Sequence, residues 1–207
     1  MINYIYPPRV ENRIAPESLL VFEETGSFFA QPKLNGSSMQ IYFSDGAKEI
    51  VFMNRHKEVM SCKIDIEEIR KLYRGSGEMI LCGEYMNKSQ KGIDGKPFNI
   101  KYVIWDIIKL NNKHLLGTAF SERYKLLHDM YELDETVEFL EEISPNCFIV
   151  KKYSCNFSSV HEKITKIEMI EGLVLKKSNS KLEHGHSKNN NHKSQIKCRK
   201  ETKNYSF

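Results

Sequence analysis

Apolar and polar positions change places along this chain at a short period far more often than at a helical one. Residues 28–32 and 38–43 are strand-like stretches on either side of a polar Lys33-Leu34-Asn35-Gly36-Ser37-Ser38 turn. Residues 48–54 alternate after the turn Ser44-Asp45-Gly46, and 78–85, 101–108, 148–153, 172–176 and 195–200 each read as a strand. Helical spacing appears at 65–74, where Ile66, Ile69, Leu72 and Tyr73 share a face and Gly75 follows as a stop. A second helix starts at Ser121 and carries Tyr124, Leu127, His128 and Tyr131; shorter helices are predicted over 134–143 and 160–167. Residues 87–97 are polar and glycine-containing, hence a loop. Residues 178–193 are rich in Asn, Ser, Lys and His and predict a mobile, low-complexity loop or hairpin tip. The chain has no internal repeat. Short strands with a few helices between them predict an α+β fold with antiparallel sheets.

At 207 residues the chain suits one domain, 1–207, with a substantial core. The net charge of +4 fits a polyanion binder without requiring one. Five cysteines are an odd number, and none has CxxC or CxxH spacing. That argues against a zinc site or a disulfide framework and for a reducing compartment. The start MINYIYPPRVENR lacks the basic and apolar regions of a signal peptide, and no apolar run approaches the roughly 20 residues a bilayer needs. The expectation is a soluble cytoplasmic protein with no membrane partner.

The most informative segment is Gln31-Pro32-Lys33-Leu34-Asn35-Gly36, which sets one lysine at the end of a strand, at a turn. Alone it is most often a hairpin corner. A nucleophilic lysine must be neutral, and only about 1 in 2,500 ordinary lysines is neutral at pH 7. Nearby cations, a metal or desolvation must therefore assist it. Four later segments carry further chemistry. Glu84 ends an apolar strand in Gly83-Glu84-Tyr85, and the only tryptophan, Trp105, lies beside Asp106 in another. Glu171 and Lys176 bracket Gly172-Leu173-Val174-Leu175. Lys197 and Arg199 are two apart, on one face of a strand.

In this order the segments resemble the collinear motifs of the covalent nucleotidyltransferases: ATP-dependent DNA ligases, RNA ligases and mRNA capping guanylyltransferases. Lys33–Gly36 is similar to the KxDG nucleophile motif, and Arg55 to the arginine of the next strand. Glu84, Trp105, Glu171–Lys176 and Lys197–Arg199 match the rest, so the resemblance runs from Gln31 to Arg199. It implies an adenylation domain of two packed antiparallel sheets with peripheral helices, and an enzyme joining 5′-phosphate and 3′-hydroxyl ends through a lysyl-AMP intermediate on Lys33.

The implied roles follow. Lys33 attacks ATP, Trp105 stacks on the adenine, and Gln31 reads its edge with an amide that both donates and accepts. Glu84 accepts from ribose hydroxyls, Arg55 contacts a phosphate or the ribose, and Glu171 helps hold Mg²⁺ (or Mn²⁺). Lys176, Lys197 and Arg199 neutralise the triphosphate and the transition state. The implied partners are nucleic-acid ends; the sequence names no recruiting protein.

Several departures choose within the superfamily. Asn35 stands where the motif usually has aspartate, and Ser38 where DNA ligases and capping enzymes place arginine. Gly36-Ser37-Ser38 and Ile196-Lys197-Cys198-Arg199, followed by Tyr205-Ser206-Phe207, resemble phage and editing-type RNA ligases, although Arg199 replaces their usual lysine. The chain stops soon after this motif, so no OB-fold domain is expected, and RNA ends are favoured over DNA. A minimal DNA ligase sealing nicks is the alternative, ahead of a capping enzyme or a non-catalytic nucleic-acid-binding module. His184, His186 and His192 lie in the low-complexity stretch and read as a solvated loop rather than a metal site, and the loop holding Lys88–Lys96 either covers substrate or has no specific role.

Overall fold

The computed structural model describes residues 4–7, 10–183 and 194–201. The elements in chain order are α1 (Leu19–Glu24), β1 (Phe28–Leu34), β2 (Ser37–Ser44), β3 (Glu49–Asn54), α2 (Ile66–Arg70), β4 (Met79–Met86) and β5 (Lys101–Leu110). After them come β6 (Lys113–His114), α3 (Phe120–Tyr131), β7 (Leu140–Ser144), β8 (Cys147–Val150), α4 (Phe157–Ile164), β9 (Ile170–Lys177) and β10 (Gln195–Arg199).

The strands form two sheets. One has three strands in the order β1-β9-β10; the other has seven, in the order β3-β2-β4-β5-β8-β7 with β6 paired to β5. β1 and β2 are therefore in different sheets, although only Asn35 and Gly36 separate them. The chain crosses from one sheet to the other at the turn that follows Lys33, which excludes a hairpin corner. Each sheet has its own core. Met39, Ile41, Phe43, Leu81, Ile104 and Ile107 lie in the larger one, under α3. Ala30, Leu34, Leu173, Leu175, Ile196 and Cys198 cover one face of the three-stranded sheet against α4.

Local chemistry explains the helix ends. The Asp65 carboxylate accepts from Glu67 N–H at 2.8 Å and starts α2. α4 is capped by a tertiary partner: the Glu23 carboxylate on α1 accepts from the backbone N–H groups of Asn156 and Phe157 at 2.8 and 2.7 Å. A carboxylate there satisfies free donors at the positive end of the helix dipole.

Three expectations need correction. Residues 134–143 do not form a helix: Asp134 closes a turn by accepting from Thr136 N–H, and the chain enters β7, which pairs antiparallel with β8. Pairing onto a sheet edge overrides the helix propensity of this glutamate-rich run. The larger sheet is also mixed, because β8 runs parallel to β5; α3 and β7 supply the crossover a parallel pair needs. Finally, residues 178–183 are not a free loop. Ser178 and Ser180 carbonyls accept from Ser121 and Phe120 N–H, Leu182 exchanges backbone bonds with Gly117 and Thr118, and the Leu182 side chain is buried. Residues 184–193, with the three histidines, and the segment Tyr205–Phe207 lie outside the described residues. Among the described residues no helix is long and apolar enough to cross a membrane.

Candidate active site

Strand alternation builds one wall of the site. On the face of the three-stranded sheet opposite its core, the register sets out three rows: Lys33–Gly172–Arg199, Gln31–Val174–Lys197 and Phe29–Lys176–Gln195. Six polar or charged side chains thus share one face because they are spaced by two. The opposite wall is the larger sheet, where Ser38 pairs with Glu84 and β5 brings Trp105 alongside. Between the walls lies a cleft of about 790 Å³, a size that suits a nucleotide. Gln31, Lys33, Arg55, Glu84, Trp105, Glu171, Lys176, Lys197 and Arg199, the complete set expected from the sequence, all line it.

Two of these residues reach the cleft through β-bulges. Lys33 pairs with Gly172 and Leu34 with Ile170, which leaves Glu171 as the extra residue. Cys82 pairs with Asp106 and Gly83 with Ile104, which leaves Trp105 as the extra residue. A bulge re-aims a side chain that strict alternation would send elsewhere. The glycines beside them serve close approach. At Gly172 φ is +143°, and a Cβ would stand 2.0 Å from the Cys198 carbonyl oxygen. Gly36 has ordinary φ, but a Cβ there would meet the Tyr85 carbonyl oxygen at 2.5 Å and Glu84 Cγ at 2.9 Å. The turn needs glycine because β4 passes so near.

The charges form a linked set. The Lys33 ammonium donates to the Glu171 carboxylate, and Arg199 Nε lies 3.5 Å from the same oxygen. Lys197 Nζ donates to the Val10 carbonyl at 3.2 Å; burial and then the fields of Lys33, Arg199 and Arg13 pull its pKa below the usual lysine range. Lys176 is 3% exposed. Its ammonium sits 4.8 Å from the centre of the Trp105 ring and 4.7 Å from that of Phe120, and burial lowers its pKa to about 8. Glu84 accepts from Gly36 N–H at 3.2 Å; burial raises its carboxyl to about 7, against the opposing pull of Lys33. Arg55, in the turn after β3, is exposed and donates to His56 Nε2. Gln31 is 1% exposed, and among the described residues neither its Nε2 nor its Oε1 has a hydrogen-bond partner. A buried amide with both ends unmet is costly unless a ligand meets them.

Sequence reasoning missed other contributors. Asp106, noted beside Trp105, points away from the cleft and forms a buried two-pronged pair with Arg123 at 2.9 and 2.8 Å, joining β5 to α3. The N-terminal segment, read only for its lack of a leader signal, links the two walls. Tyr4 OH donates to the Asn54 carbonyl and Gln40 Nε2 to the Ile5 carbonyl, while Lys197 N–H donates to Asn12 and Ile14 N–H to Lys197. Tyr6, Pro7, Val10 and Glu11 line the cleft as a result. A polar stretch of this kind carries no periodic signal.

The geometry can be set beside proteins already described. The RNA ligase family matches residues 26–197. No curated protein sequence matches the chain. Among solved structures, mycobacterial DNA ligase D complexed with ATP and MES is similar at a TM-score of 0.64 and 14% identity, over 94% of this chain and 60% of that one. The ligase domain of LigD from M. tuberculosis gives 0.61 and 13%, over 93% and 58%. A Lig E DNA ligase gives 0.57 and 12%, over 95% and 70%. At these identities the likeness is one of fold, and the chain spans about 60% of the length of the first two. The family match covers both walls of the cleft and every strand through Lys197, and on that match the chain belongs to the RNA ligase family.

Proposed function

We propose that the protein is an ATP-dependent polynucleotide ligase that joins 5′-phosphate to 3′-hydroxyl ends, RNA in preference to DNA, through AMP carried on Lys33. One observation carries the reading: Lys33 opens, with Arg199 beside the same Glu171 carboxylate, into a cleft whose buried Gln31 amide has no hydrogen-bond partner among the described residues. We read the chain as one nucleotidyltransferase unit. Its five cysteines, all unpaired, suit an intracellular setting.

In the first step Lys33, having given up its ammonium proton to solvent, bonds through Nζ to the α-phosphorus of ATP. The bond to the pyrophosphate oxygen breaks, pyrophosphate leaves, and the amine releases a second proton. Gln31 and Trp105 hold the adenine, one by its edge and one by stacking. Glu84 accepts from the ribose hydroxyls, and Arg55 meets the ribose or a phosphate. Lys176, Lys197 and Arg199 offset the charge of the triphosphate and of the transition state, where electrostatic positioning dominates phosphoryl chemistry. AMP then passes to a 5′-phosphate, and a 3′-hydroxyl displaces it.

The residues present fit a hard divalent cation. Among the described residues no cluster of three or more His, Cys, Asp or Glu could hold a metal alone. Glu171 nevertheless presents a carboxylate beside the cation row, and Mg²⁺ is commonly held by one or two carboxylates plus substrate phosphates. Glu171 would hold it, and when bound the metal would supply charge neutralisation at the phosphates.

RNA is favoured because Ser38 replaces the arginine of DNA ligases and the matching family is that of RNA ligases. End-joining assays with 5′-³²P-labelled RNA and DNA oligonucleotides test the preference. Joined or AMP-capped RNA formed faster than the DNA products is expected. Faster sealing of nicked DNA would make the protein a DNA ligase.

A further inference from the structure

We propose that Lys88 binds the 5′-phosphate of the polynucleotide that receives AMP, and that Asn35 presents it; this rests on the ligase reading above. Asn35 is two residues from Lys33 and is fixed on three sides. Its N–H donates to the Met169 carbonyl at 3.0 Å, its carbonyl accepts from Gln90 Nε2 at 3.1 Å, and its side-chain Oδ1 accepts from Lys88 Nζ at 2.7 Å. The segment that carries Lys88 is equally fixed. Asn87 Nδ2 donates to Ser37 Oγ, Lys91 N–H to the Glu168 carboxylate, and Met169 N–H to the Lys91 carbonyl. It is a hydrogen-bonded rim of the cleft.

Lys33 and Arg199 share Glu171, and Lys176 is buried. Lys88 and Arg55 are exposed cations of the cleft that make no ion pair among the described residues, and Lys88 is the one bonded to the turn after Lys33. Its side-chain partner is a neutral amide. An aspartate at position 35 would neutralise it; asparagine orients the ammonium and leaves its charge, and two of its three N–H donors, for another anion.

The proposed step needs an anion site at this place. An oxygen of the 5′-phosphate forms a bond to the AMP phosphorus, the phosphorus–Nζ bond breaks, and Lys33 takes up a proton as it leaves. The incoming phosphate is dianionic and must come within bonding distance of a second phosphate, so a free cation near Lys33 lowers the cost of that approach.

The test uses two measurements. The first is binding of 5′-phosphoryl and 5′-hydroxyl RNA oligonucleotides; the second is AMP transfer from pre-adenylated enzyme to 5′-phosphoryl RNA. Lys88→Ala should weaken 5′-phosphoryl RNA roughly tenfold, as expected for one charge-assisted hydrogen bond. It should leave 5′-hydroxyl RNA far less affected, and reduce the salt slope by about 0.7–1. Transfer should fall by a similar factor relative to adenylation. Asn35→Asp should act like Lys88→Ala, and Lys88→Arg should restore most of the effect. Equal losses for both RNAs would make Lys88 an ordinary backbone contact and overturn the proposal. So would an unchanged phosphate preference, or a shift confined to the pH profile of adenylation, which would mean that Lys88 acts on Glu84. A wild type that never adenylates but keeps a Lys88-dependent phosphate preference would overturn the ligase reading and leave this site standing.

Discussion

The Lys33 ammonium donates to the Glu171 carboxylate across a bulge in the β1–β9 ladder. The two residues are 138 positions apart, and neither would face the other in a regular antiparallel pair. Three features make the contact possible: the crossing between sheets at Asn35–Gly36, the extra residue at Glu171, and a glycine beside it that lets β10 close in. The cation row of β10 then flanks both side chains.

Gly172→Ala tests that construction. The substitution forces a Cβ to within 2.0 Å of a backbone carbonyl at φ +143°. A loss of about 2–4 kcal/mol is expected from strain and strand displacement together, read as a lower urea midpoint. Because β9 carries Glu171 and β10 carries Lys197 and Arg199, adenylation should fall further than stability alone explains.

The Asp106–Arg123 pair predicts a different pattern. At 1% and 2% exposure, removal of one partner strands a buried charge. Asp106→Leu or Arg123→Met alone should cost about 3–5 kcal/mol. The double variant Asp106→Leu with Arg123→Met should recover most of it. Additive losses in a denaturant-based double-mutant cycle would show that the two residues act independently.

Glu84 predicts a pH dependence. Burial holds its carboxyl at about 7, above the ordinary 4.5. The folded protein therefore binds this proton more tightly than the unfolded chain does. Its stabilising contribution is complete below about pH 4.5 and is lost as pH rises to about 7. Acceptance from ribose hydroxyls favours the ionised form, so nucleotide affinity should rise over the same upper range. Thermal unfolding and ATP titrations from about pH 5 to about pH 8.5 should show opposite trends, and Glu84→Gln should flatten both.

Period-two alternation made much of this legible. Lys197 and Arg199 share a face because they are two apart, and the short apolar strands around Glu84, Trp105 and Glu171–Lys176 were visible as such. Position within the fold was less accessible. The bulges that aim Glu171 and Trp105 depend on register between distant strands, which one strand's sequence does not encode. The 134–143 segment has the composition of a helix, and its second part joins β7 because β8 offers an edge. Asp106 was visible only as the acid beside Trp105; its role in holding α3 was not, since its partner Arg123 lies 17 residues on, within a helix. The contributions of residues 4–7 and 10–14 and of Lys88 rest on tertiary hydrogen bonds and leave no local pattern.

Covalent labelling of Lys33 is the most direct test of the central claim. The protein is incubated with α-³²P-ATP and Mg²⁺, with Lys33→Ala alongside, and resolved on a denaturing gel; intact mass reveals any AMP already bound. The account predicts a labelled band on the wild type, absent from the variant, stronger than with α-³²P-GTP and removed by pyrophosphate. A folded wild type that takes no label from either nucleotide and carries no added AMP would contradict it.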